Sequence, residues 1–188
     1  MKILILIFQI LLVINSALSQ TVNARNYAMS DTNFWIGKTY LLPDYYFGID
    51  NYSNGESFDS VITFLIKNPE LIVEIGCHTD NRRVPMTLDT LSDWRAKKLK
   101  EYFIYKGLDS KRIFSHGYGD HFPRIIEKDT NITFVEDMGF IECRKKSFFF
   151  KKGTTLDENY LKNIKDKCLR ELIHNLNRRT EMKILKIE

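Results

Sequence analysis

Two side chains of opposite charge stand where chemistry is easily done. Asp80 closes the polar triplet His78-Thr79-Asp80, just past an apolar, β-branched run from Leu71 to Cys77. Arg95 falls in the first turns of the helix predicted to follow. A carboxylate near a guanidinium offers complementary partners to a zwitterion: Asp80 for an ammonium, and the planar Arg95 fork for a carboxylate. The free N–H groups of the helix start would lie close to that bound carboxylate. The same two residues also suit a plainer role, with Asp80 capping a loop and Arg95 paired to it as a structural salt bridge. Residue types alone leave both readings open. The clamp reading requires Asp80 to be solvent-reachable, so that its charge contributes only modestly to stability. Thr79 borders the same strand end, and Arg178-Arg179 carry the same ambiguity between ligand contact and support.

Other chemistry finds little footing. An enzyme would have to recruit His78, His116 or His121 with Cys77 or Cys143, and none of these follows a metal-ligand spacing. The chain carries no Gly-x-Ser-x-Gly elbow and no phosphate loop. No catalytic residue, metal or cofactor is therefore implied, and His78 reads as a hydrogen-bonded strand-end residue. The net charge of +4 arises from 28 basic and 24 acidic residues scattered along the chain, too weak a bias to argue for nucleic acid. With 44% hydrophobic and 13% aromatic residues the chain can bury a core.

The elements that must position these groups alternate. Tyr45 to Asp50 reads as a first strand, and Asn51 to Gly55 as turn chemistry. Ser57 is a plausible cap for a helix whose stripe is Phe58, Val61, Ile62, Leu65 and Ile66, ending before Pro69. After the Leu71–Cys77 strand, a helix from about Thr90 shows Leu91, Trp94, Leu99, Tyr102 and Phe103 on one side, and Gly107 stops it. Arg112 to His116 is a short strand leading into Gly117-Tyr118-Gly119-Asp120. This alternation predicts a layered α/β domain. Ile132–Val135 and Phe140–Phe150 flank Glu136–Gly139 as a hairpin would, with Phe148, Phe149 and Phe150 read as a buried strand. Leu156 to Asn177 reads as one helix and Met182 to Ile187 as a closing strand.

Taken in order, these motifs resemble the OmpA C-terminal-like domain, the peptidoglycan-binding module also found in flagellar motor proteins of the MotB type. The matching residues are His78-Thr79-Asp80, Leu91-Ser92, Arg95-Ala96, Gly107-Leu108, Arg112-Ile113, Gly117-Tyr118-Gly119-Asp120, Pro123 and Asn177-Arg178-Arg179-Thr180-Glu181. Two positions depart: Leu88 stands where the family usually has Asn, and Arg83 where it usually has Gly. The resemblance implies an α+β sandwich, a βαβαβ-type mixed sheet with helices on one face, and an insertion over residues 124–153 before the last helix and strand. It implies non-catalytic binding of the diaminopimelate-bearing peptide stem of a Gram-negative wall, through Asp80, Arg95, Thr79, Arg178 and Arg179. It also implies a link between the wall and the outer membrane or an envelope complex. The alternative is an interaction module of the same fold that has lost wall binding.

Residues 1–19 read as a secretory signal peptide: Lys2, an apolar run from Ile3 to Ile14 broken only by Gln9, then Ala17-Leu18-Ser19 as the cleavage site. The run is shorter than the ~20 apolar residues that span a bilayer. Export to the periplasm, with no transmembrane span after cleavage, is the expectation. Residues 20–44 form a lead-in whose Phe34, Trp35 and Tyr40 would pack onto a domain spanning 45–188. Of three cysteines in an oxidising compartment, Cys77 sits in an inner strand, while Cys143 and Cys168 are better placed to pair, a bond the sequence leaves open.

Overall fold

The computed structural model describes residues 32–42, 58–134, 143 and 145–188. The expected signal peptide, the Tyr45–Asp50 strand and the Ser57 cap lie outside them. A four-stranded sheet runs in the order β1 (Thr39–Leu41), β6 (Arg179–Ile187), β2 (Leu71–His78), β3 (Ile113–Gly117). β2 and β3 are parallel and β6 is antiparallel to both β1 and β2, so the sheet is mixed. The parallel pair needs a crossover, which α2 (Leu88–Tyr105) supplies, and α1 (Asp59–Lys67) precedes β2. Together these elements form an α+β domain.

The helices bury one face of the sheet. Val73 and Ile75 of β2, Ile113 of β3, and Met182 and Ile184 of β6 meet Val61, Phe64 and Leu65 of α1 and Leu99 and Phe103 of α2 in one core. Phe34 and Tyr40 pack against this core, whereas Trp35 is exposed. The helical stripes are rotated from the sequence reading: Phe64 is buried and Ile66 exposed on α1, and on α2 Trp94 faces outward while Ser92 and Ala96 are buried.

The motif residues work as joints. Thr87 caps α2 through a bond from Thr90 N, and Gly107 ends it at φ +99°, a conformation that favours glycine. Arg112 donates to the carbonyls of Leu65, Asn68 and Leu71, satisfying the end of α1 and the start of β2 with one guanidinium. Ser92 Oγ accepts from Gly119 N at 2.9 Å, and a Cβ at Gly117 would stand 2.1 Å from Asp93 N. The end of β3 therefore touches the backbone of α2 one turn before Arg95.

A second core lies in the C-terminal part. β4 (Thr130–Thr133) and β5 (Ser147–Phe150) pair antiparallel, as the hairpin reading expected. Ile132, Phe134 and Phe150 pack with Leu156, Leu161, Leu172, Ile173 and Leu176. The Phe triplet is only partly buried, because a strand alternates its sides: Phe150 is buried and Phe149 exposed. The single helix expected over 156–177 is two, α3 (Glu158–Lys162) and α4 (Lys167–Asn177). Asp166 causes the break, since its carboxylate accepts from the N–H groups of Cys168 and Leu169 and caps a new helix. Cys143 and Cys168 form a disulfide, which ties the hairpin to the first turn of α4, and Cys77 is a buried free thiol.

Gly117→Ala is expected to push α2 away from β3 and lower stability by about 1–3 kcal/mol, the range of core overpacking. Denaturant unfolding of the variant checks this, and a midpoint equal to that of the parent chain would contradict the contact.

Candidate functional site

Asp80 lies immediately beyond β2, and the start of β6 runs alongside, with His78 opposite Arg179. The turn from α4 into β6 is thereby brought to Asp80. Arg178 Nη1 donates to Asp80 Oδ2 at 2.5 Å. Arg82, from the loop after Asp80, donates to the same oxygen through Nε at 2.9 Å and Nη2 at 2.7 Å, while its backbone N–H reaches Oδ1 at 3.0 Å. Glu171 of α4 closes the ring, accepting from Arg82 Nη1 at 3.0 Å and Arg178 Nη2 at 3.4 Å. Two carboxylates thus face two guanidiniums.

The ring is largely buried on its acidic side. Asp80 is 6% exposed and Glu171 9%. Burial alone would raise the Asp80 pKa, but the bonds from Arg82 and Arg178 outweigh it and hold the carboxyl below its ordinary value. The expectation of a solvent-reachable Asp80 is corrected here: its carboxylate is saturated by the chain's own arginines. The exposed member is Arg82, whose side chain is 46% accessible.

Arg95 is half-buried on α2. Burial lowers its pKa, the nearby Cys77 and Asp80 oppose that shift and Arg178 adds to it, so its charge bears on the ring. An arginine stays protonated regardless. Thr79 is buried and donates its N–H to Gly119 O at 2.8 Å. Arg179 is turned elsewhere: it pairs with Glu181 at 2.5 Å and donates to the carbonyls of Phe122 and Asn177. Of the five residues named from sequence, Asp80 and Arg178 are bonded and Arg95 bears on them electrostatically. Thr79 adjoins them in the chain, and Arg179 braces β6 against the loop after β3.

Arg82 and Glu171 were not singled out by sequence. Glu171 had a readable signal, for it interrupts the buried stripe of Leu172, Ile173 and Leu176 on α4. A carboxylate on a core-facing stripe needs a cation. Arg82 had none beyond its nearness to Asp80.

His78 is buried and stacks on Tyr118 with ring centroids 4.8 Å apart, its Nε2 3.5 Å from Glu181. Tyr118 lies over Gly76, where a Cβ would stand 2.8 Å from its ring, and donates to Glu74 at 2.6 Å. Burial and the Glu74 charge push the Tyr118 phenol up to about 12. Cys77 is likewise pushed up to about 12, mainly by burial, and is a poor nucleophile. Among the described residues no group of three or more His, Cys, Asp or Glu side chains is arranged to hold a metal ion, and no helix is long and apolar enough to cross a membrane.

No family model matches the chain. Among solved structures it is similar to the periplasmic domain of Helicobacter pylori MotB, at 11% identity and TM-score 0.42, over 72% of this chain and 64% of that one. It is also similar to the OmpA-like domain of FopA1 from Francisella tularensis subsp. tularensis SCHU S4, at 17% identity and TM-score 0.36, over 73% of this chain and 66% of that one. The chain thus spans just under two thirds of each of these solved domains.

Acid should act on this region in a defined window. Glu181 is held at about 2: its burial is outweighed by His78 and Arg179. A carboxyl depressed in the fold contributes stability that is complete above its unfolded pKa of about 4.3 and is lost as pH falls through the folded value. Asp80 contributes with the same sign. His78 is pushed down by burial, so it adds a loss that begins below its ordinary value of 6.5. Glu181→Gln is expected to remove on the order of 2 kcal/mol of the pH dependence between about 4.5 and 2. Thermal melts across that range check it, and equal slopes for variant and parent would contradict the assignment.

Proposed function

We propose that this domain binds the peptide stem of peptidoglycan without catalysis, gripping the zwitterionic end of diaminopimelate between Asp80 and Arg95. The observation that carries the reading is the convergence at one spot of residues far apart in the chain. Asp80 follows β2, and Arg178 at the α4–β6 turn is bonded to it, while Arg95 on α2 bears on both electrostatically. The ordered motifs quoted above support the same reading. In this arrangement the ligand carboxylate takes the Arg95 fork, and Arg178 holds Asp80 in place from behind. Arg82 occupies the position the ligand ammonium needs. Its side chain is 46% exposed, on a loop that is exposed throughout residues 81–87, so exchanging it for an ammonium disturbs little packing.

The wider role follows as part of the same proposal: export by the 1–19 signal peptide, residence in the periplasm, and a link from wall to outer membrane or envelope complex. A second reading has an observation of its own. Arg82 already saturates Asp80, Arg83 follows it in the same loop and Leu88 opens α2 at the loop's end, as a module of this fold specialised for protein contacts would have it.

Sedimentation of the mature chain with isolated sacculi, with and without free diaminopimelate, separates the two. Wall binding predicts cosedimentation that free diaminopimelate reduces. Arg95→Lys should then bind nearly as poorly as Arg95→Ala, because a point charge lacks the bidentate fork. Arg82→Gln should bind several-fold tighter, since a competitor for Asp80 is gone. Failure of parent and Arg82→Gln chains alike to sediment would favour the interaction module.

A further inference from the structure

Beside the Asp80 ring, a cleft of about 260 Å³ opens between the loops that follow β2 and β3 and the start of α3. Asp80, Arg95 and Arg178 do not line it, and among the described residues neither does any lysine or other arginine. Three carboxylates do: Asp120, Asp157 and Glu158. Asp120 is half-buried. Asp157 uses Oδ1 to cap Tyr160 N at 2.8 Å, which leaves Oδ2 for another donor. Glu158 makes an exposed contact of 3.4 Å with Lys162, of the kind that exchanges readily with another cation. Pro123, Leu156 and Leu161 add apolar wall.

Thr79 also lines the cleft, and it is the residue that points to a ligand. It is 4% exposed, yet its hydroxyl Oγ1 has no hydrogen-bond partner among the described residues. Buried hydroxyls are normally satisfied, and this one, on a residue that lines an acidic cleft, has hydrogen-bonding capacity left over.

We propose that this cleft binds a primary ammonium carried on a short aliphatic stem. The carboxylates balance its charge, the Thr79 hydroxyl accepts one of its N–H bonds, and the apolar wall receives the methylenes. A free diamine and a lysine side chain of a polypeptide share this chemistry. The site is separate from the diaminopimelate clamp and does not depend on it.

Calorimetric titration of the mature chain with 1,5-diaminopentane, Nα-acetyl-lysine methylamide and 1-pentanol tests the proposal. Saturable binding of either amine, with none of the alcohol, is expected, and the amine that binds tighter identifies the source. Combining Asp120→Asn with Glu158→Gln should weaken amine binding at least tenfold, the loss of one charge-assisted bond. Thr79→Val, which keeps the shape and removes the hydroxyl, should weaken it several-fold while leaving the melting temperature unchanged or raised. Arg95→Gln should abolish sacculus binding and leave the amine titration intact, so that failure of one site is distinguishable from failure of the other. The proposal is overturned if the alcohol binds as well as the amines, if the carboxylate variant binds like the parent, or if no amine saturates at millimolar concentration.

Discussion

A carboxylate that leaves water must find cations, and this domain is built around one that has found two. Asp80 accepts from Arg82 and Arg178, and both arginines reach Glu171. The ring draws together the end of β2, the loop after it, the middle of α4 and the turn into β6. Breaking such a ring by removing one partner leaves a buried charge uncompensated, which costs about 3–5 kcal/mol where both ions are fully buried. The half-exposed Arg82 lowers that figure on its side and makes it the member free to be exchanged.

The C-terminal hairpin and helices are best understood through the same ring. α4 presents Leu172, Ile173 and Leu176 to the hairpin core, and Glu171 and Arg178 to Asp80. The hairpin, the Cys143–Cys168 bond and the Asp166 cap fix the start of α4, so that its far end delivers Arg178 accurately. Asn177 adds a joint, accepting from Arg124 N and donating to Leu156 O. The hairpin and its core therefore brace one side of the candidate site.

Much of this was legible in the residues, and the parts that were not share a cause. Strands β2 and β3 and helix α2 declared themselves by local period and by Gly107, signals that need no tertiary context. Arg112, Ser92 and Gly117 were visible as motif letters, but their work, bonding carbonyls and amides across elements, depends on contacts distant in sequence. The break in the C-terminal helix was missed because Asp166 acts as a cap only once the chain turns there. The partners of Asp80 were open for a similar reason. The residues left a bond to Arg95 and support from Arg178 or Arg179 as alternatives, and the antiparallel pairing of β6 with β2 brings Arg178 to the carboxylate, while the short loop folds Arg82 back onto it.

In the proposed clamp a zwitterionic ligand exchanges with Arg82 on Asp80 while its carboxylate takes Arg95. The most direct measurement follows the arginine Nε–H resonances of the isotopically labelled domain as meso-diaminopimelate is added. The Arg82 Nε–H, bonded to Asp80 at 2.9 Å in the free protein, is expected to lose its protection from solvent exchange. The Arg95 Nε–H is expected to shift saturably over the same titration, with Arg178 little changed. Saturable binding that leaves both the Arg82 and Arg95 resonances in place would contradict the clamp.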